Sequence, residues 1–137
     1  MKLRSLLSLV LLLCIVSTLF VGCLGQEPVV IKDSDTFIVI TADSDAASLL
    51  DYMSKLKDKG ELEYTVENGM ITSVNGIANP ADFSSCWMIY TSDSEYSSEM
   101  FGTVEYNGKI YNSAVTGADL LPIKQGETYI WVFKSFS

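Results

Sequence analysis

Residues 36–60, TFIVITADSDAASLLDYMSKLKDKG, contain the two elements that decide the fold. Thr36 to Thr41 is rich in β-branched and aromatic residues and is flanked by Asp and Ser, the composition of a strand. Behind it, Leu49, Leu50, Met53 and Leu56 fall on one face at helical spacing. Asp43, Ser44 and Asp45 offer N-cap acceptors and negative charge for the start of that helix. Lys57, Lys59 and then Gly60 suit its C-terminal end and the residue after it. An amphipathic helix that follows a strand must bury its apolar stripe against a sheet, so the stretch predicts an α+β domain.

The rest of the chain supplies that sheet. Leu62 to Glu67 alternates apolar and polar residues, and Asn68-Gly69 is a hairpin signal leading into Met70 to Val74. Asn75-Gly76 breaks the chain again, and Cys86 to Thr91 reads as a further strand. Val104 to Tyr106 and Lys109 to Tyr111 flank another Asn-Gly turn, and Thr128 to Phe133 is the last strand. Ser92 to Met100 is polar, holds three acids and has little periodicity, so it is expected to be a loop and a place where function could sit.

Side chains alternate across a strand, so Trp87 and Ile89 share one face of theirs while Met88 and Tyr90 share the other. On the last strand Tyr129, Trp131 and Phe133 share a face, opposite Ile130 and Val132. If one face of the sheet packs on the helix, the other is free to expose an aromatic strip. Trp87, Tyr90, Tyr129 and Trp131 are therefore the candidate ligand-binding residues, since rigid aromatic side chains bind flat ligands or partner proteins by burying area. The competing reading is that they fill the core of a small domain.

The N-terminus carries Lys2 and Arg4, then an apolar stretch from Leu6 to Val21 that ends at Gly22, the pattern of an export signal. As a helix the stretch reaches roughly 24 Å, short of the ~30 Å hydrocarbon core of a bilayer. Phe20-Val21-Gly22-Cys23 resembles the bacterial lipoprotein box, in which a cysteine thiol receives diacylglycerol before cleavage ahead of it. The expected organisation is a signal peptide at 1–22, lipidated Cys23 and a tether at 23–34, and one domain at 35–137. That places the protein on the outer face of a bacterial membrane, attached by its lipid.

Composition excludes several activities. Loss of Lys2 and Arg4 with the signal takes the formal charge from -8 to -10, and no Arg or His remains. Such an acidic surface is expected to have no nucleic-acid partner, because phosphate binding relies on Lys and Arg. Without histidine there is no Ser-His-Asp triad and no Cys-His pair, and no enzyme activity is expected. Ser54 and Lys57 match a Ser-x-x-Lys spacing, but companion motifs are missing and both read as exposed helix positions. Cys86 has no nearby cation in sequence and reads as a packed thiol with no disulfide partner once Cys23 is acylated. Asp33, Asp35, Asp43 and Asp45, and separately Asp93, Glu95 and Glu99, do not continue into a calcium-loop pattern, so no metal and no resident cofactor is expected.

Taken in order, the first strand, Ser48-Leu49-Leu50-Asp51, Ile71-Thr72-Ser73-Val74-Asn75-Gly76-Ile77, Trp87-Met88-Ile89-Tyr90 and Tyr129-Ile130-Trp131-Val132-Phe133 resemble the transcobalamin-like C-terminal domain family. The likeness runs from about Asp35 to Phe133. It implies a β-grasp-like fold with one helix on a mixed or antiparallel sheet, and a non-enzymatic role in ligand binding. Cobalamin is the ligand that the resemblance implies, because animal cobalamin carriers close the equivalent domain over the corrinoid. The alternative is an adaptor domain that binds another cell-envelope protein at a sheet edge.

Overall fold

A computed structural model describes residues 29–136. The expected signal peptide, Cys23 and the first part of the expected tether lie outside the described residues. Among the described residues, nine strands and one α-helix make an α+β domain: β1 Val29–Ser34, β2 Phe37–Thr41, α1 Leu49–Asp58, β3 Tyr64–Glu67, β4 Met70–Val74, β5 Ile77–Ala78, β6 Ser85–Thr91, β7 Ser97–Tyr106, β8 Lys109–Ala114 and β9 Thr128–Ser135. One sheet has the order β1-β2-β9-β6-β8-β7 and the other β3-β4-β5. Every pairing in both is antiparallel. Among the described residues no helix is long and apolar enough to cross a membrane.

Two expectations about boundaries change. Val29 to Ser34, read as tether, is a strand paired to β2, with Val29 opposite Thr41 and Lys32 opposite Ile38. It is an edge strand with an exposed Ile31, so its sequence carries little alternation. The helix is capped by Ser48 and not by Asp43 to Asp45: the Ser48 hydroxyl accepts from Asp51 N at 3.1 Å. The next two amides leave the helix altogether, Leu49 N donating to Leu121 O and Leu50 N to Ala118 O. Ser48→Ala is expected to cost about 1 kcal/mol of stability, read by thermal unfolding. At the other end Gly60 N donates to Lys57 O and Glu61 N to Leu56 O, the Schellman pattern, with Gly60 at φ +74°.

The helix buries Leu49, Tyr52, Met53 and Leu56 against Ile38, Ile40, Trp87, Ile89, Tyr129 and Trp131. Register explains why these sheet residues share a face. Trp131 of β9 lies opposite Ile38 of β2 and Ile89 of β6, and Tyr129 lies opposite Ile40. The aromatic face is therefore the covered one. On the other face Val39, Tyr90, Tyr111 and Ile130 form a second, smaller core. There the β7–β8 hairpin reaches back across the sheet, and Tyr106 stacks on Phe37 at a ring separation of 5.9 Å.

All three Asn-Gly pairs are tight turns with positive φ at both residues, as a two-residue hairpin of the right twist requires. Asn75-Gly76, expected only to break the chain, turns β4 into β5. Ser92 to Met100 is mostly ordered structure: Ser94–Tyr96 is a 3-10 turn and β7 begins at Ser97. The irregularity lies further on. Ser98 faces Ser113 while Thr103 faces Asn112, so residues 99–102 bulge out of the ladder.

Tyr52 ties the helix to the strand before it. Its hydroxyl donates to Asp43 Oδ1 at 2.7 Å and accepts from Asp43 N at 3.2 Å. Burial, reinforced by the Asp43 carboxylate and opposed by the Asp43 N–H, pushes the phenol up to about 12. The same phenol holds the Asp43 carboxyl below its usual range. In the unfolded chain a tyrosine releases its proton near pH 10. The folded state keeps the proton longer, so stability is full below pH about 10 and is lost between pH about 10 and 12. Melting temperature is expected to fall across that window, and to fall less in Tyr52→Phe.

Candidate functional site

Between the two sheets lies a cleft of about 430 Å³. The β3–β4 turn (Asn68 to Ile71), β6 (Trp87 to Ile89), β9 (Trp131), Phe101 of the bulge, and Ala114 to Asp119 after β8 line it. Three local features hold these walls. Trp87 Nε1 donates to Ile77 O at 2.8 Å, and Trp87 N donates to Asn79 Oδ1 at 3.0 Å, which fastens the small sheet to β6. Asn79 also donates through its side chain to Ile71 O. The bulge is pinned by buried Ser113, whose hydroxyl donates to Ser98 O at 2.7 Å and accepts from Phe101 N at 3.3 Å.

The four candidate aromatics do not form one strip. Trp87 and Trp131 both line the cleft and are buried, 6% and 2% exposed. Tyr129 shares their face but lies deeper. It is fully buried, and its hydroxyl accepts from Lys124 N at 2.9 Å. Tyr90 points to the opposite core, where its hydroxyl is buried without a hydrogen-bond partner. Alternation along β6 separates it from Trp87.

Trp131 Nε1 is also buried without a partner. A buried indole N–H normally finds an acceptor, so this donor on a cleft-lining residue stands out. Among the described residues that line the cleft, Asp119 is the only charged one. Its Oδ2 lies 2.6 Å from where a Cβ on Gly69 would stand, so the carboxylate leans over the β3–β4 turn and depends on glycine there, at φ +80°. Sequence reasoning missed Asp119, Phe101 and Ser113. The Asn68-Gly69 signal marked one wall, but no local pattern marks a bulge or a loop that meets it from residues 99–119.

The other chemically suggestive groups are occupied elsewhere. Lys124 Nζ pairs with Glu95 at 2.7 Å and with buried Asp93 at 3.1 Å. The hydrogen bonds to Glu95, and next to Asp93, hold this ammonium well above the usual lysine range. Ser92 donates to the Glu127 carboxylate through a short hydrogen bond and accepts from Thr128 N at 2.8 Å. The start of the expected loop is thereby fastened to the turn before β9. Asp45 accepts from Gln125 N, and Asp35 pairs with Lys32. Burial pushes the Cys86 thiol up, and its sulfur sits 3.7 Å from that of Met88. Lys57 pairs with Glu63 at 3.4 Å, and Ser54 is exposed on the helix. No group of three or more metal-ligating side chains occurs among the described residues.

No protein-family model, curated protein or solved structure matches the chain, so the functional reading rests on this geometry.

Proposed function

We propose that the protein is an exported lipoprotein, held at the outer face of a bacterial membrane by acylated Cys23, whose β-grasp-like domain binds a small molecule without turning it over. The observation that carries the binding reading is the cleft. Its volume of about 430 Å³ falls in the range of small-molecule sites, and its lining combines two indoles and other apolar side chains with the polar Asn68, Thr116 and Asp119. A hairpin, a helix across one sheet face and returning strands support the β-grasp-like reading. The non-enzymatic reading rests on the sequence, which holds no histidine to serve as a general base.

Cobalamin is the first ligand to try. A cleft of this size would seat one edge of a corrinoid and leave the remainder outside. The test is isothermal titration of the mature chain, made soluble by Cys23→Ser, with cobalamin and cobinamide. Micromolar or tighter binding, about -8 kcal/mol or better, is the expected result. No heat with either corrinoid removes cobalamin, and no thermal shift across a broad small-molecule panel removes the small-molecule reading.

One observation favours a second reading, an adaptor for another envelope protein. Phe101 and Val115 of the lining, with Met100 next to Phe101 and Leu120 next to Asp119 in the chain, are 54–78% exposed and give the cleft an apolar rim. Membrane crosslinking that returns one stoichiometric protein partner, lost in Phe101→Ser, would favour this reading. A monomer with no partner would remove it.

A further inference from the structure

We propose that the cleft takes a small, flat molecule with a hydrogen-bond acceptor at its inner end and a protonated amine at its outer end. The acceptor meets the Trp131 indole N–H and the amine meets the Asp119 carboxylate. This rests on the small-molecule reading and adds the chemistry of the ligand.

The inner contact follows from a contrast between two indoles. Both tryptophans of the chain line the cleft. Trp87 spends its N–H on Ile77 O at 2.8 Å, a bond that holds two sheets together. Trp131 is 2% exposed, and its N–H meets no acceptor in the protein. The nitrogen has almost no accessible surface, so a ligand oxygen or ring nitrogen reaches it through a small turn of the indole, and the bond then removes the cost of a buried donor without a partner. A flat ligand suits the floor, because apolar Ile71 and Ile89 lie beside the two indoles and a planar ring buries area there.

The outer contact follows from charge. Asp119 is exposed at the wall of the cleft, and the ion pairs of the described residues engage Lys32, Lys57 and Lys124 with other acids. Among the described residues the lining holds no cation to balance it. The whole chain is acidic, at -8 by formal count, so the surrounding field repels anions and draws cations toward this mouth. Both effects select the same ligand: neutral and acceptor-bearing inside, positive outside.

The test uses three ring-sized probes and the emission of the two tryptophans, which reports on the cleft directly. 4-(Aminomethyl)benzamide carries the ammonium and a carbonyl acceptor, benzylamine lacks the acceptor, and 4-carbamoylbenzoate replaces the ammonium by a carboxylate. Titrated into the mature Cys23→Ser chain, the first is expected to bind at least tenfold tighter than the anion and several-fold tighter than benzylamine. Asp119→Asn is expected to bring the amine and the anion within about twofold of each other with melting temperature unchanged. Trp131→Phe is expected to erase the preference for the acceptor. If that variant does not fold, the comparison of benzamide and benzylamine on the unaltered chain decides the point. Equal binding of all three probes, or a charge preference that survives Asp119→Asn, overturns this inference and leaves the small-molecule reading standing. Corrinoid binding with no probe binding has the same effect. Silence of all probes and both corrinoids takes down this inference and the corrinoid assignment together.

Discussion

Tyr129→Ala is expected to destabilise the domain by about 3–5 kcal/mol, the usual cost of removing a large buried aromatic side chain. The residue is fully buried on the strand that pairs with both β2 and β6, so its ring is surrounded by sheet neighbours and the helix. Its hydroxyl accepts from Lys124 N and lies 3.4 Å from Pro122 O, which anchors the turn before β9. Tyr129→Phe keeps the ring and orphans that amide, at an expected cost of about 1–3 kcal/mol. For a domain of this size each kcal/mol corresponds to about 4–8 °C in melting temperature. Urea unfolding monitored by tryptophan emission measures both variants. A Tyr129→Phe protein as stable as its parent would show that the hydroxyl anchors nothing. Because Tyr129 is fully buried and is not among the residues that line the cleft, Tyr129→Phe should leave the affinity for any cleft ligand within about twofold, which separates a core role from a binding one.

Trp87→Ala should cost a similar amount, about 3–5 kcal/mol, with a different signature. Trp87 packs on Phe133 at a ring separation of 5.4 Å, and its N–H holds Ile77 of the small sheet. Without it the three-stranded sheet keeps Asn79 as its main polar link to β6. The expected outcome is local opening of β3 to β5 ahead of the remainder. Amides such as Asn79 N and Asn75 N would then exchange hydrogen faster than those of β9, and the urea slope of the main transition would fall, since less surface is left to expose. Uniform exchange with an unchanged slope would mean that the two sheets unfold as one unit whatever joins them. Trp87→Phe keeps the apolar wall and loses only the bond to Ile77 O, at about 1 kcal/mol.

The two variants also separate what was legible in the sequence from what was not. β2, β6, β9 and the apolar stripe of α1 were readable because strand and helix periods are local, and the Asn-Gly pairs were readable because few residues accept positive φ at two successive positions. The cap was misplaced because Asp43, Ser44, Asp45 and Ser48 are all acceptable acceptors. The choice was made by Ala118 and Leu121, whose carbonyls take the neighbouring amides from about 70 residues away. Edge strand β1 was read as tether because only one neighbour pairs with it. The expected loop ends at Met100 and misses the bulge at 99–102, because the anchor of that bulge, Ser113, belongs to the next strand.

The sequence by itself determined an α+β domain, its main strands, its one described helix and the alternation that separates Trp87 from Tyr90 on one strand and keeps Tyr129 with Trp131 on another. Each of these follows from the chemistry of residues within a few positions of one another. Only the tertiary structure decided that the aromatic face lies beneath the helix, that two of the four aromatics line a cleft while two fill cores, and that Trp131, which keeps an unpaired N–H, lines the same cleft as Asp119. Those outcomes depend on which strands pair across long stretches of chain and on which polar groups find partners there, and neither is encoded in any short stretch of sequence.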